Sequence, residues 1–380
     1  MNIAIVGAGI GGLATAILLE RLGHRISLFE QFRKPVPIGS GLMIQPVGLE
    51  VLELAGVADA VLKHATPIKR VLGRSSQTGR RVLDVDYGAV PGLGIHRAAL
   101  FSALYEKVLT RALYWHTDCR ITGHQDGKLR FADGSFSEAF DLIIDASGAN
   151  SVLSPLKARA LSFGAIWGTV DWVSGGLPED HLSQRYRGAD HMIGVLPVGL
   201  MPGQDRRKAA FFWSLRHDAY EDWLKGGLAA WKDTALSIWP DAGPFLEQIT
   251  DPEQMTMARY SHGTLRQPWG DRIAFVGDAA HRASPQLGQG ANMALLDAAA
   301  LAKSLETLPL DQALPAYGKA RRWHVGVYQA FSAMFTPAYQ SDSRLLPFLR
   351  DNVLFPVSRI PPVPSVLSHL ISGTLVPRGI

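Results

Sequence analysis

The chain has one cysteine, little surplus charge and no long apolar run, and each shortage excludes a class of protein. With Cys119 alone, neither an intrachain disulfide nor a cysteine-clustered metal site is possible. A net charge of +4 with interspersed signs gives no indication of a nucleic-acid partner. No stretch of about 18 apolar residues occurs, so a membrane span is not expected.

Signatures of side-chain catalysis are also missing. The sequence has no H-E-x-x-H pair for zinc and no G-x-S-x-G turn for a nucleophilic serine, so neither a metal site nor a catalytic side chain is predicted. Such a chain would have to take its reactive group from a cofactor. At 380 residues, with 47% hydrophobic and 19% charged residues, it is long enough for two or three folded domains.

The amino terminus enters a predicted strand at once, without a charged and apolar leader, so we expect a cytoplasmic protein. The basic group formed by Lys319, Arg321 and Arg322 is expected on the wet side of a helix. The apolar tail 353–376 is broken by prolines and is expected to pack over a surface. Nothing in the sequence indicates the oligomeric state.

The chain opens with a strand, a helix and a second strand. Asn2–Val6 is predicted as a buried strand, residues 11–22 as a helix that stops at Gly23, and 25–30 as the next strand. Later predicted elements are a helix at 98–109, strands at 113–116, 141–145 and 272–276, a hairpin over 128–136 and a helix at 291–305. Residues 165–260 carry aromatic-rich strand patterns, which predict a separate β-rich layer.

The turn after the first strand has the spacing of a phosphate cradle. Gly7, Gly9 and Gly12 fit G-x-G-x-x-G, which means little by itself in a chain with 38 glycines. Here, however, the glycines close a strand and open a helix. Gly7 then permits the tight turn, Gly9 lets the backbone approach a pyrophosphate, and Gly12 lets the helix pack closely on the strand. Gly11 lies in the same turn, whose free N–H groups favour phosphate.

The second strand ends in an acidic residue. Glu30 follows the glycines at about the separation at which a carboxylate binds ribose hydroxyls in dinucleotide sites. Its charge would repel a 2′-phosphate, so the tightly held ligand should not be NADP.

A second candidate wall lies late in the chain. Gly277 and Asp278 follow a predicted buried strand, and the carboxylate could accept hydrogen bonds from ribityl hydroxyls. Farther on, Gly288 and Gly290 lead into a helix whose free N–H groups favour negative charge, as on N1 and O2 of a reduced flavin. One long cofactor held from both ends is indicated, and the predicted cofactor is FAD.

The two motifs together predict an α/β fold in three parts. The first is a discontinuous, Rossmann-like FAD-binding domain (residues 1–70, 95–164 and 262–330). The second is an inserted β-sheet-rich substrate domain (71–94 and 165–261), and the third is a C-terminal helical segment (331–380).

In these motifs the chain resembles the FAD-dependent aromatic hydroxylases, the group A flavoprotein monooxygenases typified by p-hydroxybenzoate hydroxylase and salicylate hydroxylase. The shared features are the glycine turn with Glu30, the run Ile95-His96-Arg97 with its following Ala-Ala-Leu, and the stretch from Gly277 to Asp297. They occur in the family's order over most of the first 300 residues.

The resemblance implies particular cofactor contacts. Arg97 would contact FAD, and Asp278 would bind the ribityl–phosphate region. The segment from Pro285 to Asn292 would line the isoalloxazine ring, and the peptide N–H groups of Ala291 and Asn292 would meet flavin O2 and N1. Gly41 resembles the glycine of a strand beside the flavin.

Two segments depart from the family pattern. Around Gly148 the family's central aspartate is replaced by Ser147 and its final arginine by Leu153, in a segment linked to cofactor handling and reduction. Near the flavin, the usual Pro-Pro or Pro-x-Gly-Gly is Ser284-Pro285-Gln-Leu287-Gly288. The first departure leaves the source of electrons open, and the second could alter the shape of the pocket.

The activity implied is a monooxygenase cycle. NAD(P)H would reduce the flavin, O2 would add at C4a, and the hydroperoxide would hydroxylate an aromatic or other electron-rich small molecule in a dry pocket. Three alternatives stay open: an oxygen-independent flavin reductase, a halogenase, and a non-catalytic flavin-binding protein. The halogenase is disfavoured because Trp167-Gly-Thr-Val-Asp-Trp172 lacks the Trp-x-Trp-x-Ile-Pro pattern.

Two expectations concern the substrate side. Phe211 and Trp213 share one face of a predicted strand and Phe212 lies on the other, so one set could line the pocket, although plain core is the commoner role. His281 is expected to be a turn residue hydrogen-bonded to the backbone rather than a proton handler.

Overall fold

The computed structural model describes residues 1–35 and 39–380. The strands within these ranges are β1 (Asn2–Val6), β2 (Arg25–Phe29), β3 (Gly41–Ile44), β4 (Thr66–Ile68), β5 (Arg70–Ser75), β6 (Arg81–Asp86), β7 (Gly92–His96), β8 (Tyr114–His116), β9 (Ile121–Gln125), β10 (Lys128–Phe131), β11 (Phe136–Ala139), β12 (Leu142–Asp145), β13 (Arg159–Ala160), β14 (Phe163–Asp171), β15 (His181–Arg187), β16 (His191–Leu200), β17 (Arg207–Arg216), β18 (Thr256–Ala258), β19 (Ser261–Thr264), β20 (Trp269–Gly270), β21 (Ile273–Phe275) and β22 (His281–Arg282). The α-helices are α1 (Ile10–Arg21), α2 (Pro46–Leu54), α3 (Ala58–His64), α4 (Arg97–Leu109), α5 (Tyr220–Gly226), α6 (Leu228–Ile238), α7 (Gly243–Leu246), α8 (Gly290–Thr307), α9 (Leu310–Tyr339), α10 (Leu345–Leu349), α11 (Phe355–Val357) and α12 (Val363–Ser372).

A six-stranded sheet forms the first layer, in the order β20-β21-β12-β1-β2-β8. The five strands from β21 to β8 run parallel, and β20 is antiparallel at one edge. Four consecutive apolar residues of β1, Ile3–Val6, are buried because both faces of the sheet are covered. Ile3 and Ile5 pack in the cluster that contains α1 and α8, whereas Ala4 and Val6 pack in the cluster that contains β9 and β10. The carboxyl ends of β1 and β21 therefore meet at one edge, with β12 between them. The predicted α/β class is confirmed.

A seven-stranded sheet forms the second layer, in the order β18-β14-β17-β16-β15-β5-β6. It joins strands from two distant stretches of the chain, because β5 pairs in parallel with β15 while the other neighbours are antiparallel. This is the predicted β-rich layer, and the residue boundaries assigned to the domains stay predictions. On one of its faces Phe211 and Trp213 are buried against Trp231 of α6, while Phe212 points to the opposite face.

The C-terminal helices pack against both layers and are held by the long helix α9. His324 is buried and donates from Nε2 to the carbonyl oxygen of Gly373 at 3.0 Å. Arg321 donates from Nη1 to the carbonyl oxygen of Arg378 at 2.9 Å. No helix in residues 1–35 and 39–380 is both long and apolar enough to cross a membrane.

Low pH should weaken the attachment of the chain around Gly373 to α9, because His324 makes one of its hydrogen bonds. Burial, together with the nearby Arg321 charge, lowers the pKa of His324 to about 4, from an ordinary value of about 6.5. A folded-state pKa below the unfolded one gives stability that is present above about pH 6.5 and is lost as pH falls towards 4. We expect the wild-type free energy of unfolding to fall by about 2–3 kcal/mol more over this window than that of His324→Gln. Urea titrations at pH 7, 5.5 and 4.5 test this, and parallel pH profiles for the two proteins would contradict it.

Candidate cofactor and substrate site

A cavity of about 1360 Å³ lies between the two sheets and the C-terminal helices. All but two of the residues predicted to bind the cofactor line it, and the exceptions are Gly12 and Asn292. The lining set is Gly7, Gly9, Gly11, Glu30, Gly41, Arg97, Asp278, Pro285, Gly290 and Ala291. The early glycine turn and the late aspartate loop thus share one cavity, although the sequence separates them widely.

The glycine turn has the shape that its spacing predicts. Gly7 has φ +100°, and its N–H donates to the carbonyl oxygen of Phe29 at 2.8 Å. A Cβ on Gly12 would lie 1.9 Å from the Gly7 carbonyl oxygen, so this glycine lets α1 approach the turn. A Cβ on Gly9 would meet nothing within 4 Å and would project into open space. The first bond into α1 runs from Leu13 N–H to Gly9 O, which leaves the earlier N–H groups of the helix available to an anion.

Glu30 is buried and already oriented. Its Oε2 accepts from the Ala8 N–H at 2.9 Å and its Oε1 from the Phe32 N–H at 3.1 Å. Each carboxylate oxygen can accept a further bond, so both stay able to receive ribose hydroxyls. The carboxylate thus links the glycine turn to the end of β2.

The late loop is held by a buried ionic cluster of Asp297, His281 and Arg321. Asp297 accepts bonds from Gly277 N–H (2.9 Å), His281 Nε2 (2.6 Å) and Arg321 Nε (2.7 Å). Burial raises the pKa of Asp297, but the charges of His281 and Arg321 outweigh it and bring the pKa to about 2. Gly277, with φ +63°, is thereby fixed so that the neighbouring Asp278 is exposed on the cavity wall.

Two predictions about this cluster were wrong. His281 bonds to a side chain, Asp297, rather than to the backbone. Arg321 is 1% exposed and does not lie on the wet side of α9. Its basic neighbours in the sequence concealed a residue that faces inward, because only the packing of α9 on α8 brings it to Asp297.

The amino terminus of α8 faces the cavity at Gly290 and Ala291. The first bond into the helix joins Met293 N–H to Gln289 O, so the N–H groups of the first turn have no acceptor among the described residues. Asn292 lies beneath the cavity wall. Its amide is fully used by the protein, since Nδ2 donates to Met43 O and Gly288 O while Oδ1 accepts from Gln45 N–H. Only its peptide N–H is left for a cofactor.

The glycine turn, the Asp278 loop and the amino terminus of α8 together fit an FAD molecule, from its pyrophosphate to its isoalloxazine ring. The family described as "FAD binding domain" matches residues 1–325. The chain belongs to this FAD-binding family. It is an FAD-dependent monooxygenase, and the aromatic hydroxylase resemblance seen in its motifs is confirmed.

Two curated proteins to which the chain is similar are a hydroxylase and a monooxygenase. The chain is 28% identical over 336 residues to the 3-hydroxybenzoate 6-hydroxylase of Klebsiella oxytoca, covering 82% of each chain. It is 26% identical over 346 residues to the 6-hydroxynicotinate 3-monooxygenase of Bordetella bronchiseptica, covering 83% of this chain and 85% of that one.

Solved structures show the same fold at low identity. The tetrameric form of 2-methyl-3-hydroxypyridine-5-carboxylic acid oxygenase has a TM-score of 0.82 at 20% identity, covering 97% of this chain and 96% of that chain. A variant of HpxO from Klebsiella pneumoniae complexed with FAD has a TM-score of 0.80 at 19% identity, covering 99% of this chain and 100% of that chain.

The departure from the family pattern near Gly148 forms a closed polar turn. Asp145 is buried at the end of β12 and accepts from both the N–H and the Oγ of Ser147, at 3.0 and 2.6 Å. Ser151 donates to its other oxygen. Burial raises the pKa of Asp145, while the bonds from the serines oppose that rise. Asp145 thus holds Ser147, which lines the cavity, in a fixed orientation.

The structural role of His96 was not predicted from the sequence. Its Nδ1 accepts from the Ala98 N–H at 3.1 Å and caps α4, which leaves the proton on Nε2. Nε2 contacts Thr169 Oγ1 at 3.1 Å, and that hydroxyl bonds Ser40 Oγ at 2.8 Å. The network ties the strand that follows Ser40 to the second sheet. A polar residue just before a predicted helix was the available signal.

Gly41 serves packing as well as the cavity. A Cβ there would lie 2.3 Å from Val198 Cγ1 and 2.8 Å from Ala210 Cβ, both on the second sheet. Arg97 begins α4, and its N–H donates to Ser40 O at 2.9 Å. The contacts of these residues with FAD stay predictions.

Proposed function

We propose that this monooxygenase uses NAD(P)H and O2 to hydroxylate a small aromatic or other electron-rich substrate. The main support for this proposal is the course of the cavity, which continues from the glycine turn, past Pro285 and Gly290, to an aromatic wall on the second sheet. The assignments of the cofactor-binding residues and the domain boundaries belong to this proposal, and the cytoplasmic location stays a prediction.

The aromatic wall suits a flat apolar ligand. Phe212 lines the cavity and stacks on Trp167, with ring centroids 4.4 Å apart. This is the face of β17 opposite to the core residues Phe211 and Trp213. Apolar walls exclude water, which protects a reactive oxygen species from unproductive decay.

The reaction balances as substrate–H + NAD(P)H + H⁺ + O2 giving substrate–OH + NAD(P)⁺ + H2O. Bound FAD supplies the redox chemistry, while the protein binds, orients and shields. The N–H groups at the start of α8 favour negative charge on a ligand beside them, which supports a reduced flavin there. The relatives' substrates, a hydroxybenzoate and a hydroxynicotinate among them, support a ring that bears an electron-donating group.

We expect NADH or NADPH to bleach the flavin of the holoenzyme under anaerobic conditions, and a phenolic ligand to accelerate the bleaching. With ¹⁸O2, the product should carry one labelled oxygen atom, measured by mass spectrometry. H2O2 release without labelled product for every phenol tried would count against hydroxylation. Turnover of a substrate under argon would favour the oxygen-independent reductase instead, and bromide-dependent product would favour a halogenase.

A further inference from the structure

The part of the cavity away from the glycine turn is roofed by the C-terminal segment. Half-buried apolar side chains of this segment form the roof, and their uncovered surface faces the cavity. We call this set the apolar roof: Phe331, Phe335, Phe355, Val363, Leu367 and Ile371.

The floor beneath the roof belongs to the second sheet and is also apolar. Val82 and Val85 come from β6, Leu182 from β15 and Leu196 from β16, beside the Phe212 ring. Two apolar surfaces thus face one another across a space that opens towards Pro285 and Gly290, where the flavin is expected to bind. Water in such a space gains few hydrogen bonds, so an apolar group should displace it favourably.

Two charged groups at the edge of this space are already paired, whereas Arg259, which also lines the cavity, has no ion pair among the described residues. Arg350 is 2% exposed, with Nε on Asp351 Oδ1 (2.6 Å), Nη1 on Ala338 O (2.9 Å) and its guanidinium over the Tyr186 ring. Asp84 accepts bonds from two arginines of β5 and β6.

Two uncharged polar groups complete the edge. Tyr87 donates to Gln45 Oε1 at 2.7 Å and is committed to the protein. Gln184 is 8% exposed and lines the cavity, and its Nε2 reaches only the sulfur of Met192, at 3.7 Å. A thioether is a weak acceptor, so this amide retains donor capacity for a ligand.

We propose that the substrate carries an extended apolar substituent, such as an alkyl chain, which lies beneath the apolar roof while a polar atom of the substrate bonds to Gln184. This inference rests on the proposed hydroxylase function and names the substrate class of the same site. Arg259 could pair with one anionic group, but a substrate bearing several charged groups would lose its hydration here without gaining enough partners. The apolar roof therefore selects for chain length rather than charge.

The test titrates the holoenzyme with phenol, 4-propylphenol, 4-pentylphenol and 4-heptylphenol, following the flavin absorbance change. We expect Kd to fall by about fourfold per methylene until the space is filled. The carboxylated 3-hydroxybenzoate should bind more weakly than 4-heptylphenol. Equal Kd values along the series, tightest binding by 3-hydroxybenzoate, or no spectral change with any ligand would overturn the proposal.

Matched variants locate the effect. Leu367→Trp should fill the space and weaken 4-heptylphenol binding by at least about tenfold while leaving phenol unchanged. Leu345→Trp is the control, because Leu345 lies on the same segment, is 63% exposed and does not line the cavity. Should Leu367→Trp fail to fold, Val363→Trp gives the same readout. Loss of the chain-length effect in the control as well would refute the roof assignment.

Binding and turnover separate the two proposals. Binding that strengthens with chain length without labelled hydroxylated product would keep the roof assignment and reject the hydroxylase. Labelled product with Kd independent of chain length would keep the hydroxylase and reject the roof assignment.

Discussion

Gly9→Ala and Gly12→Ala should fail in opposite ways, although both remove a glycine of the same motif. Gly9 has φ −78° and open space where its Cβ would lie, so the apoprotein should accept alanine with little loss of stability. The new methyl group would instead obstruct the approach of the pyrophosphate. A clash of about 1–3 kcal/mol would weaken FAD binding by about five- to 150-fold.

Gly12→Ala should harm the fold itself. Its Cβ would meet the Gly7 carbonyl oxygen at 1.9 Å, and a backbone atom cannot rotate away as a side chain can. Separating α1 from β1 should cost at least about 1–3 kcal/mol. Urea unfolding of the apoproteins and FAD titration of the same samples measure the two effects independently. A stable Gly12→Ala, or a Gly9→Ala that keeps wild-type FAD affinity, would contradict the division of roles.

Asp297→Asn should be among the most damaging isosteric changes in the chain. It leaves Arg321 buried without its carboxylate, and breaking such a pair typically costs about 3–5 kcal/mol. Gly277 also loses a charged acceptor, so the loop that presents Asp278 should loosen and the purified protein should retain less FAD. Asp311→Asn is the matched control, because it makes the same chemical change at an exposed position of α9.

The pH dependence separates this carboxylate from a general loss of packing. The folded-state pKa of Asp297 is about 2, below the ordinary value of about 3.9, so its contribution is present above about pH 4 and is lost as pH falls towards 2. Wild type should lose more stability over that window than Asp297→Asn, which keeps only the losses caused by other titrating groups such as His324. The measurement is chemical unfolding at pH 5, 4 and 3, and identical slopes for both proteins would refute the assignment.

The parts of the site that could be read from sequence are those fixed by local backbone geometry. The turn at Gly7, the carboxylate of Glu30 and the loop at Gly277 each sit at a strand end, where short-range spacing determines position. The βα transitions could therefore be predicted nearly to the residue.

Features that depend on the packing of separate elements could not be predicted. Arg321 pairs with a residue on another helix, and His96 bonds to a strand of the other sheet. The same limit applies to the apolar roof, since its apolar residues would read equally well as ordinary core. Only the folded chain shows that they border a space.

The order in which the chain is made has a consequence for flavin capture. β1 and β21 are separated by a single strand in the sheet, but about 270 residues separate them in the chain. α8, which forms the cavity wall opposite the glycine turn, begins later still, at Gly290. During synthesis, the glycine turn expected to bind the pyrophosphate of FAD is therefore complete long before the segment expected to enclose the isoalloxazine ring. Coenzyme loading is thus expected to follow synthesis of most of the chain, and shorter translation fragments should emerge colourless.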